Sequence, residues 1–405
     1  MIAHVALVVA IVLVVARLAG EVALRVKQPP VLGELVAGIL LGAIPSQFSR
    51  DVAVDGSIDL LAQLGVLLLL FEVGLESTVR DLLAVGLAAA RVAVLGTLGS
   101  FAVGFGCAHL VLPGASLGTK VFIGASITAT SIGITARVFK DLGQTRSGEA
   151  RTILGAAVLD DVLGLIVLAL VTGWVRTQTS GGSASLPALA WLFVKTLGLL
   201  GLAIAVGVRV TPRIFRAAAR LRTPGALLSV GLSFCFFFAW GAEWLGLAPI
   251  IGAFAAGLVL EELHSEQFVA RGEKSLAELV EPISDFLVPI FFFVMGVRAD
   301  VSAFLHPRTL GLAAVLTVGA ILGKLMCSIG PKAGVSRLSV ALGMMPRGEV
   351  TLIFASLGTQ LGVLDRDAYS AIVVVVVVTT VLTPTALKWS FARARRRATK
   401  SAVAT

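Results

Sequence analysis

The amino-acid sequence predicts an all-α polytopic membrane protein with about thirteen transmembrane helices, an inverted repeat and two crossing discontinuous helices. Charge is scarce, since only 14% of the 405 residues are charged and the mean hydropathy is +0.97. Soluble domains carry about a quarter charged residues, so this chain cannot cover a water-exposed surface. Apolar runs recur along its whole length, and its two halves resemble each other. A lipid bilayer must therefore surround much of the chain.

The apolar runs define the candidate spans, because a spanning helix needs about 20 apolar residues and must satisfy its backbone groups internally. Breaks at polar residues, Pro and Gly give these approximate limits: 2–25, 31–45, 58–77, 85–112, 118–140, 149–176, 187–210, 224–245, 248–262, 286–299, 308–330, 335–361 and 368–391. An odd number of spans places the two termini on opposite sides of the membrane.

The basic residues predict the orientation. They lie mostly in connections that face inward if the N-terminus is outside, and in a basic tail at residues 392–405. By the positive-inside rule we expect a multi-pass inner-membrane protein with its N-terminus outside and its C-terminus in the cytoplasm. The same distribution accounts for the net charge of +9 without nucleic acid. The three cysteines stand alone, without disulfide or metal spacing, and no cofactor is expected.

The two halves of the chain repeat at an offset near 219 residues. Pro and Gly positions match between 30–38 and 249–257, and again between 124–143 and 343–362. At the same offset, Asp160 and Asp161 fall on Thr379 and Thr380. Seven predicted spans separate the paired segments, so the halves should face opposite ways. This pattern indicates an inverted repeat, which is common in secondary transporters.

Two adjacent acids, Asp160 and Asp161, lie in the middle of an apolar span. A charge at this depth costs about 2.5–3.5 kcal/mol on insertion scales, so such residues usually serve an ion path. Neighbouring residues on a helix point about 100° apart, so each carboxylate should find a different partner. Close carboxylates hold a proton more firmly, as burial does. A carboxylate tuned in this way binds either a proton or a metal cation, which is sufficient for exchange.

A lysine, Lys324, lies in a second apolar span, far from either end. A snorkelling side chain is the simplest alternative, but about two helical turns separate Lys324 from the nearest loop. A buried lysine needs an anion, and the aspartate pair provides one. We therefore expect an ion pair between Lys324 and an aspartate.

Polar interruptions occur in two spans, at residues 126–131 and 345–349. Irregular backbone at membrane depth is tolerated only inside protein or beside a cavity, so two broken helices should cross near the midplane. Thr130 and Ser131 would offer oxygen ligands there. Arg347 and Glu349 either offset the partial charges of half-helix ends or pair with each other. Glu72, another acid within an apolar run, is the expected partner of Arg347.

These motifs together resemble those of a known family. TATS at 128–131, LDD at 159–161, GK at 323–324 and GMMPRGEV at 343–350 are similar to those of the bacterial sodium/proton antiporters of the second monovalent cation:proton antiporter family. The resemblance covers residues 1–391 and implies the sodium/proton antiporter fold. It implies a homodimer that works by alternating access in pH homeostasis, with a core domain near 58–176 and 286–391. The dimerisation domain would lie near 1–57 and 187–262.

The resemblance also implies roles for the site residues. Asp161 would carry the proton and the metal ion, with Asp160 and Thr130 as further metal ligands. Sodium binding would break an Asp160–Lys324 pair and release two protons, which makes the exchange electrogenic. The transported ions would be H⁺ and Na⁺ or Li⁺.

Other functions were weighed against this one. A potassium/proton antiporter stays an alternative, although potassium-efflux relatives often have Gln-Asp where this chain has Asp-Asp. A sodium-coupled organic-solute symporter of related inverted-repeat fold and a cation channel stay open as well. An intramembrane aspartyl protease needs two acids that share a proton across a gap, and adjacent residues of one helix cannot converge in that way. No enzyme activity is therefore expected.

Overall fold

A computed structural model gives the structure of the chain at residues 2–26, 28–44, 47–76, 86–131, 135, 139, 144, 147–179, 191, 194, 198, 209, 213, 225–245, 248–269, 274–299 and 306–403. Nearly all of these residues are α-helical, and none of them forms a β-strand. The predicted span at 187–210 lies almost wholly outside this described part, as does the end of the span at 118–140.

The described residues form fourteen α-helices. In chain order they are α1 Ile2–Arg25, α2 Pro30–Gly42, α3 Gln47–Val54, α4 Gly56–Glu76, α5 Leu87–Val111, α6 Leu117–Ser126, α7 Gly148–Thr179, α8 Ala226–Trp244, α9 Pro249–Val269, α10 Leu276–Val297, α11 Pro307–Leu325, α12 Arg337–Gly343, α13 Glu349–Gln360 and α14 Arg366–Val403. A 3₁₀ turn, Met326–Ile329, follows α11. Eight of these helices are long and apolar enough to cross a membrane. The all-α membrane class is thus confirmed, and the total of thirteen spans stays a prediction.

Helix α10 begins at Leu276, well before the predicted span at 286–299. The cause is a capping box, in which the Ser275 side chain accepts from the Glu278 N–H and the Glu278 carboxylate accepts from the Ser275 N–H. This pair satisfies two of the free donors at a helix start. The acidic residues of the first turns lower the local hydropathy, so the apolar run alone marks a later beginning.

Polar side chains also define the start of α4. Asp55 accepts hydrogen bonds from the N–H of Ser57 at 2.7 Å and of Ile58 at 3.3 Å, and these bonds hold the pKa of the Asp55 carboxyl below its ordinary value. One turn further on, Asp59 forms an ion pair with Arg298 at the end of α10. The sequence alone had not predicted a partner for Arg298.

The chain divides into two compact units. The first comprises Met1–Ala19, Glu34–Leu82 and Leu168–Arg298, and the second comprises Gly20–Gly33, Leu83–Val167 and Ala299–Thr405. Helices α4 and α10 belong to the first unit, although parts of both fell within the expected core limits. The two aspartates, Lys324 and both interruptions belong to the second unit.

Glycines bring helix backbones together within the first unit. A Cβ added to Gly38 of α2 would lie 3.0 Å from the Cα of Gly296 in α10. In the same way, a Cβ added to Gly74 of α4 would lie 3.0 Å from the Cα of Gly257 in α9. Close contacts of this kind need small residues, as in other helix pairs within membranes. Gly38 and Gly257 are counterparts at the repeat offset, and their contact partners Gly74 and Gly296 lie 222 residues apart, so the two contacts correspond in the two halves to within three residues.

The helix limits agree with the predicted repeat. α10, α11 and α12 each begin about 220 residues after α4, α5 and α6, respectively. The first interruption follows α6, and the second follows α12. The repeat read from scattered Pro and Gly matches therefore extends to whole helices.

An apolar core fixes the part of α7 that belongs to the second unit, residues 148–167. It is built from α5, α7, α12, α14 and the 3₁₀ turn, through the buried residues Val92, Ala93, Ile153, Ala156, Ala157, Cys327, Val340, Met344 and Leu387. Phe139 packs edge-to-face on Phe391 with ring centroids 5.6 Å apart. This packing holds the helix that carries both aspartates against the segment that contains the second interruption.

Candidate cation and proton site

Asp160 is a fully paired carboxylate in the second unit. The Lys324 ammonium of α11 lies 2.9 Å from one carboxylate oxygen and 3.1 Å from the other. The Thr97 hydroxyl of α5 donates a further hydrogen bond at 2.7 Å. Asp160 is 1% exposed and Lys324 is 0% exposed. Each buried charge therefore has its counter-charge within hydrogen-bond distance, as burial requires.

Asp161 differs from its neighbour in both burial and partners. It is half-buried, and it has no hydrogen bond or ion pair to any residue that the structure describes. The charged groups that interact with it electrostatically are Glu349, Asp160 and Lys324. One turn further along α7, a Cβ on Gly164 would lie 3.6 Å from the Cβ of Ala129. This face of α7 is therefore turned toward the interrupted helices.

The two interruptions are hydrogen-bonded to each other. After α6 ends, the Ser131 N–H donates to the Pro346 carbonyl at 3.0 Å. The Thr130 hydroxyl donates to the carbonyl of Met344 at 3.1 Å, and Thr135 donates to Gly343 at 2.7 Å. Backbone groups that the helices no longer satisfy thus find partners in the other interruption, as non-helical backbone at membrane depth requires.

Arg347 is buried in the second interruption, and its guanidinium reaches the first. One terminal nitrogen donates to the carbonyls of Thr128 and Ala129, at 3.1 and 3.0 Å. The other donates to the Ala320 carbonyl at 3.0 Å and to the Ser100 hydroxyl at 3.3 Å. The carbonyls that follow α6 carry the partial negative charge of a helix end, so Arg347 neutralises the carboxyl end of this half-helix.

Glu349 lies at the amino end of α13, where the partial charge of the helix is positive. It is half-buried in the first turn of α13, where a negative charge is favourable. Its carboxylate lies 3.5 Å from the Ser131 hydroxyl, and it forms no ion pair with a cation of the described part. Arg347 and Glu349 therefore do not pair with each other, which had been the alternative.

The structure brings together most of the predicted site residues, and one of them lies elsewhere. Asp160, Asp161, Lys324, Thr130, Ser131, Arg347 and Glu349 all lie in the second unit, around the interruptions. Glu72 belongs to the first unit, where its carboxylate accepts a hydrogen bond from Ser284 of α10 at 2.7 Å. The expected pairing of Glu72 with Arg347 is thus not found, since the acceptors of the two terminal guanidinium nitrogens are three backbone carbonyls and the Ser100 hydroxyl. The Arg347 Nε has no partner in the described part of the chain.

Sequence reasoning missed the hydroxyls of Thr97 and Ser100. Both lie in the apolar run of α5, and each contacts one of the buried charged groups. Thr and Ser are tolerated in apolar helices because they bond to their own backbone. The Thr97 oxygen lies 3.0 Å from the Ala93 carbonyl, which shares the single hydroxyl hydrogen with Asp160. The three-residue spacing of Thr97 and Ser100 on one helix face was the available signal.

Buried carboxylates beside two interrupted helices are typical of secondary ion transporters. A family model described as "Sodium/hydrogen exchanger, transmembrane" matches residues 9–393. The chain therefore belongs to the sodium/hydrogen exchanger family, which is a family of transporters. This result confirms the resemblance found in the motifs.

Similar proteins cover the chain almost completely. It is 36% identical to the "High-affinity Na(+)/H(+) antiporter NhaS3" of Synechocystis sp., over 94% of this chain and 88% of that protein. It is also 36% identical to the "Na(+)/H(+)-K(+) antiporter GerN" of Bacillus cereus, over 95% of each protein. The sodium proton antiporter MjNhaP1 from Methanocaldococcus jannaschii has a similar structure, with a TM-score of 0.69, 18% identity and 95% of each chain covered. This likeness confirms the antiporter fold.

Proposed function

We propose that the chain exchanges protons for Na⁺ or Li⁺ across the inner membrane and that both ions compete for Asp161. The observation that carries this proposal is the contrast between the two aspartates. Asp160 is neutralised by Lys324, whereas no cation of the described part pairs with Asp161. A carboxylate held beside interrupted helices without a counter-charge needs either a proton or a metal cation.

The ligands for a metal ion would be oxygens of the interruptions. Hard cations prefer carboxylate, carbonyl and hydroxyl oxygens. Asp161 interacts electrostatically with Glu349, and the Glu349 carboxylate contacts the Ser131 hydroxyl. The Thr130 hydroxyl donates to Met344, and its lone pairs stay available to a cation. We propose that side-chain oxygens of Asp161, Ser131, Thr130 and Glu349 bind the cation. The adjacent Asp160 carboxylate would be drawn toward the bound cation.

The Asp160–Lys324 pair would couple ion binding to a second proton. A cation that displaces the proton of Asp161 and also draws the Asp160 carboxylate toward itself takes from Lys324 its counter-charge, which weakens the hold of that buried ammonium on its own proton. Release of this proton together with the one from Asp161 gives two protons per cation, so the exchange is electrogenic. The burial of the pair, at 0% side-chain exposure of each partner, supports this coupling.

The membrane arrangement follows from the same proposal. The second unit, which holds the ion site, would be the mobile core, and the first unit would form the scaffold and the contact of a homodimer. Alternating access would expose Asp161 to each side in turn. The concentration of basic residues in the inward connections and in the tail at 392–405 supports an N-terminus outside and a cytoplasmic C-terminus. Lipid and a second copy of the chain are the expected partners.

Potassium is the second candidate cation. The relative from Bacillus cereus is named for Na⁺, H⁺ and K⁺, and it matches this chain as well as the sodium relative does. Potassium differs from sodium in size and not in ligand type, so the same oxygens could bind it.

Everted membrane vesicles with an acidified lumen test the proposal. Addition of Na⁺ or Li⁺, and of K⁺ in a parallel sample, should release protons and raise the lumenal pH, as a pH-sensitive dye reports. Asp161→Asn should abolish this response at normal expression. Asp367→Asn, which alters an exposed acid in the first turn of α14, is the matched control and should respond fully. The absence of any cation response of the unaltered protein across about pH 6.5–9, a range around neutral carboxylate tuning, would exclude antiport. Cation-driven uptake of an organic solute without proton release would indicate a symporter.

A further inference from the structure

Two threonines in α14 hold the backbone of the second interruption. The Thr380 hydroxyl donates to the Arg347 carbonyl at 2.8 Å. The Thr379 hydroxyl accepts from the Arg347 N–H at 3.2 Å and donates to its own helix at Val375, at 2.8 Å. Thr379 is 0% exposed and Thr380 is 3% exposed. Both polar groups of the Arg347 backbone therefore depend on this threonine pair.

The interruption needs these bonds because no helix satisfies it. Arg347 lies between the end of α12 and the start of α13, and Pro346 before it has no N–H. Gly348 after it is not helical, with φ −142° and ψ −141°. A buried backbone group without a partner is costly, so the threonines replace the missing helical hydrogen bonds.

The position of Arg347 determines the position of the first interruption. Its guanidinium holds the carbonyls of Thr128 and Ala129, which directly precede the hydroxyls of Thr130 and Ser131. A shift of the Arg347 backbone would therefore move the two hydroxyls that we propose as cation ligands. The path from α14 to these oxygens consists of hydrogen bonds between buried groups of the second unit.

We propose that Thr379 and Thr380 are positioning residues that set the affinity of the cation site through Arg347, an inference that rests on the proposed function. They are the repeat counterparts of Asp160 and Asp161. A hydroxyl can donate and accept at once, whereas an ionised carboxylate only accepts, so only the threonine pair can hold a carbonyl. In the first copy of the repeat these positions are aspartates that would bind the transported ions. In the second copy they are threonines whose neutral hydroxyls hold the backbone of Arg347.

The test compares three variants of α14 in the everted vesicles. Thr380→Val removes the hydroxyl that holds Arg347 at nearly constant volume. Thr383→Val is the matched control, because the Thr383 hydroxyl is buried and donates only to its own helix at Thr379, at 2.7 Å. Thr380→Ser retains the donor. The half-saturating Na⁺ concentration and the maximal rate are measured separately, with the melting temperature of each purified variant.

Thr380→Val should raise the half-saturating Na⁺ concentration about tenfold, which corresponds to about 1.4 kcal/mol and to the loss of one buried hydrogen bond. Thr383→Val and Thr380→Ser should stay within about twofold of the unaltered protein. An unchanged Na⁺ dependence in Thr380→Val, or an equal rise in Thr383→Val, would overturn the inference. If Thr380→Val does not reach the membrane, Thr379→Val takes its place, because it removes the acceptor of the Arg347 N–H. It should raise the half-saturating Na⁺ concentration to a similar extent. An unchanged half-saturating Na⁺ concentration in Thr379→Val would overturn the inference. If the unaltered protein shows no exchange in these vesicles, the proposed function itself fails.

Discussion

Arg347 donates a hydrogen bond of 3.1 Å to the carbonyl of Thr128, the residue 219 positions earlier in the chain. This separation is the repeat offset, so the two residues occupy equivalent places in the two halves. The two interrupted helices are therefore joined by a contact between repeat counterparts. Arg347 contributes its side chain to this contact, and Thr128 contributes its backbone carbonyl. The half-helix end at Thr128 gains a full positive charge next to its partial negative charge.

Arg347→Lys should disrupt this crossing although it conserves the charge. A lysine ammonium is compact and cannot reach four acceptors in the planar arrangement of a guanidinium. Hydrogen bonds from charged groups contribute about 1.5–3 kcal/mol each, so the loss of two should lower the melting temperature and abolish exchange. Arg393→Lys alters an exposed arginine that lies over the Trp389 ring and serves as the control. Normal melting and exchange in Arg347→Lys would show that positive charge alone is sufficient.

Lys324→Ala should destabilise the protein and change its electrical coupling. The substitution leaves Asp160 buried without a counter-charge, and breaking a buried pair in this way costs about 3–5 kcal/mol. We expect a lower melting temperature and exchange that no longer depends on the membrane potential, because one titrating group is lost. Lys388→Ala removes an exposed lysine from α14 and should change neither quantity. Unaltered melting together with an unaltered potential dependence would contradict the role of the pair.

Glu349→Gln separates a structural role of this acid from a role as ligand. Glutamine keeps the size and the hydrogen bond with Ser131 but removes the charge that faces Asp161. If the carboxylate binds the cation, half-saturation for Na⁺ should rise about tenfold or more with little change in melting temperature. A fall in melting temperature at unchanged Na⁺ dependence would instead assign Glu349 to the end of α13.

Gly257→Ala tests the helix contact in the first unit. The added methyl group would collide with the backbone oxygen of Phe71, and overpacking of this kind costs about 1–3 kcal/mol. Gly241→Ala in α8 meets no atom within 4 Å and should be neutral or stabilising by up to about 1 kcal/mol. Thermal unfolding of both variants in detergent gives the comparison, and equal melting temperatures would show that the α4–α9 contact is loose.

The sequence predicted the charged residues and the helix interruptions, because both are unusual in an apolar transmembrane segment. Asp160 and Lys324 are conspicuous because their charge is costly at that depth, and each needs an opposite partner, so their neighbourhood could be expected. The interruptions were visible for the same reason, since Pro346 and Gly348 weaken a helix. The sequence therefore predicted where the helical hydrogen bonds are interrupted. It did not predict which groups form hydrogen bonds with the freed backbone.

The partners of these groups could not be read from the sequence. Thr97, Thr379 and Thr380 cause no anomaly in an apolar run, because a threonine can always bond to its own helix. Glu72 was assigned to the wrong partner because a sequence shows which side chain needs a counterpart and not which helix lies beside it. Helix α10 began earlier than expected because capping by Ser275 outweighed local polarity.

The unbroken course of α7 through Asp160 and Asp161 makes Lys324 an internal spectroscopic reporter. Adjacent residues of one helical turn cannot shift independently, so an ion that arrives at Asp161 also disturbs the carboxylate that Lys324 contacts at 2.9 Å. The nitrogen resonance of a ¹⁵N-labelled Lys324 should therefore follow the identity of the bound ion. Occupancy of the pathway could then be recorded without placing any foreign group inside it.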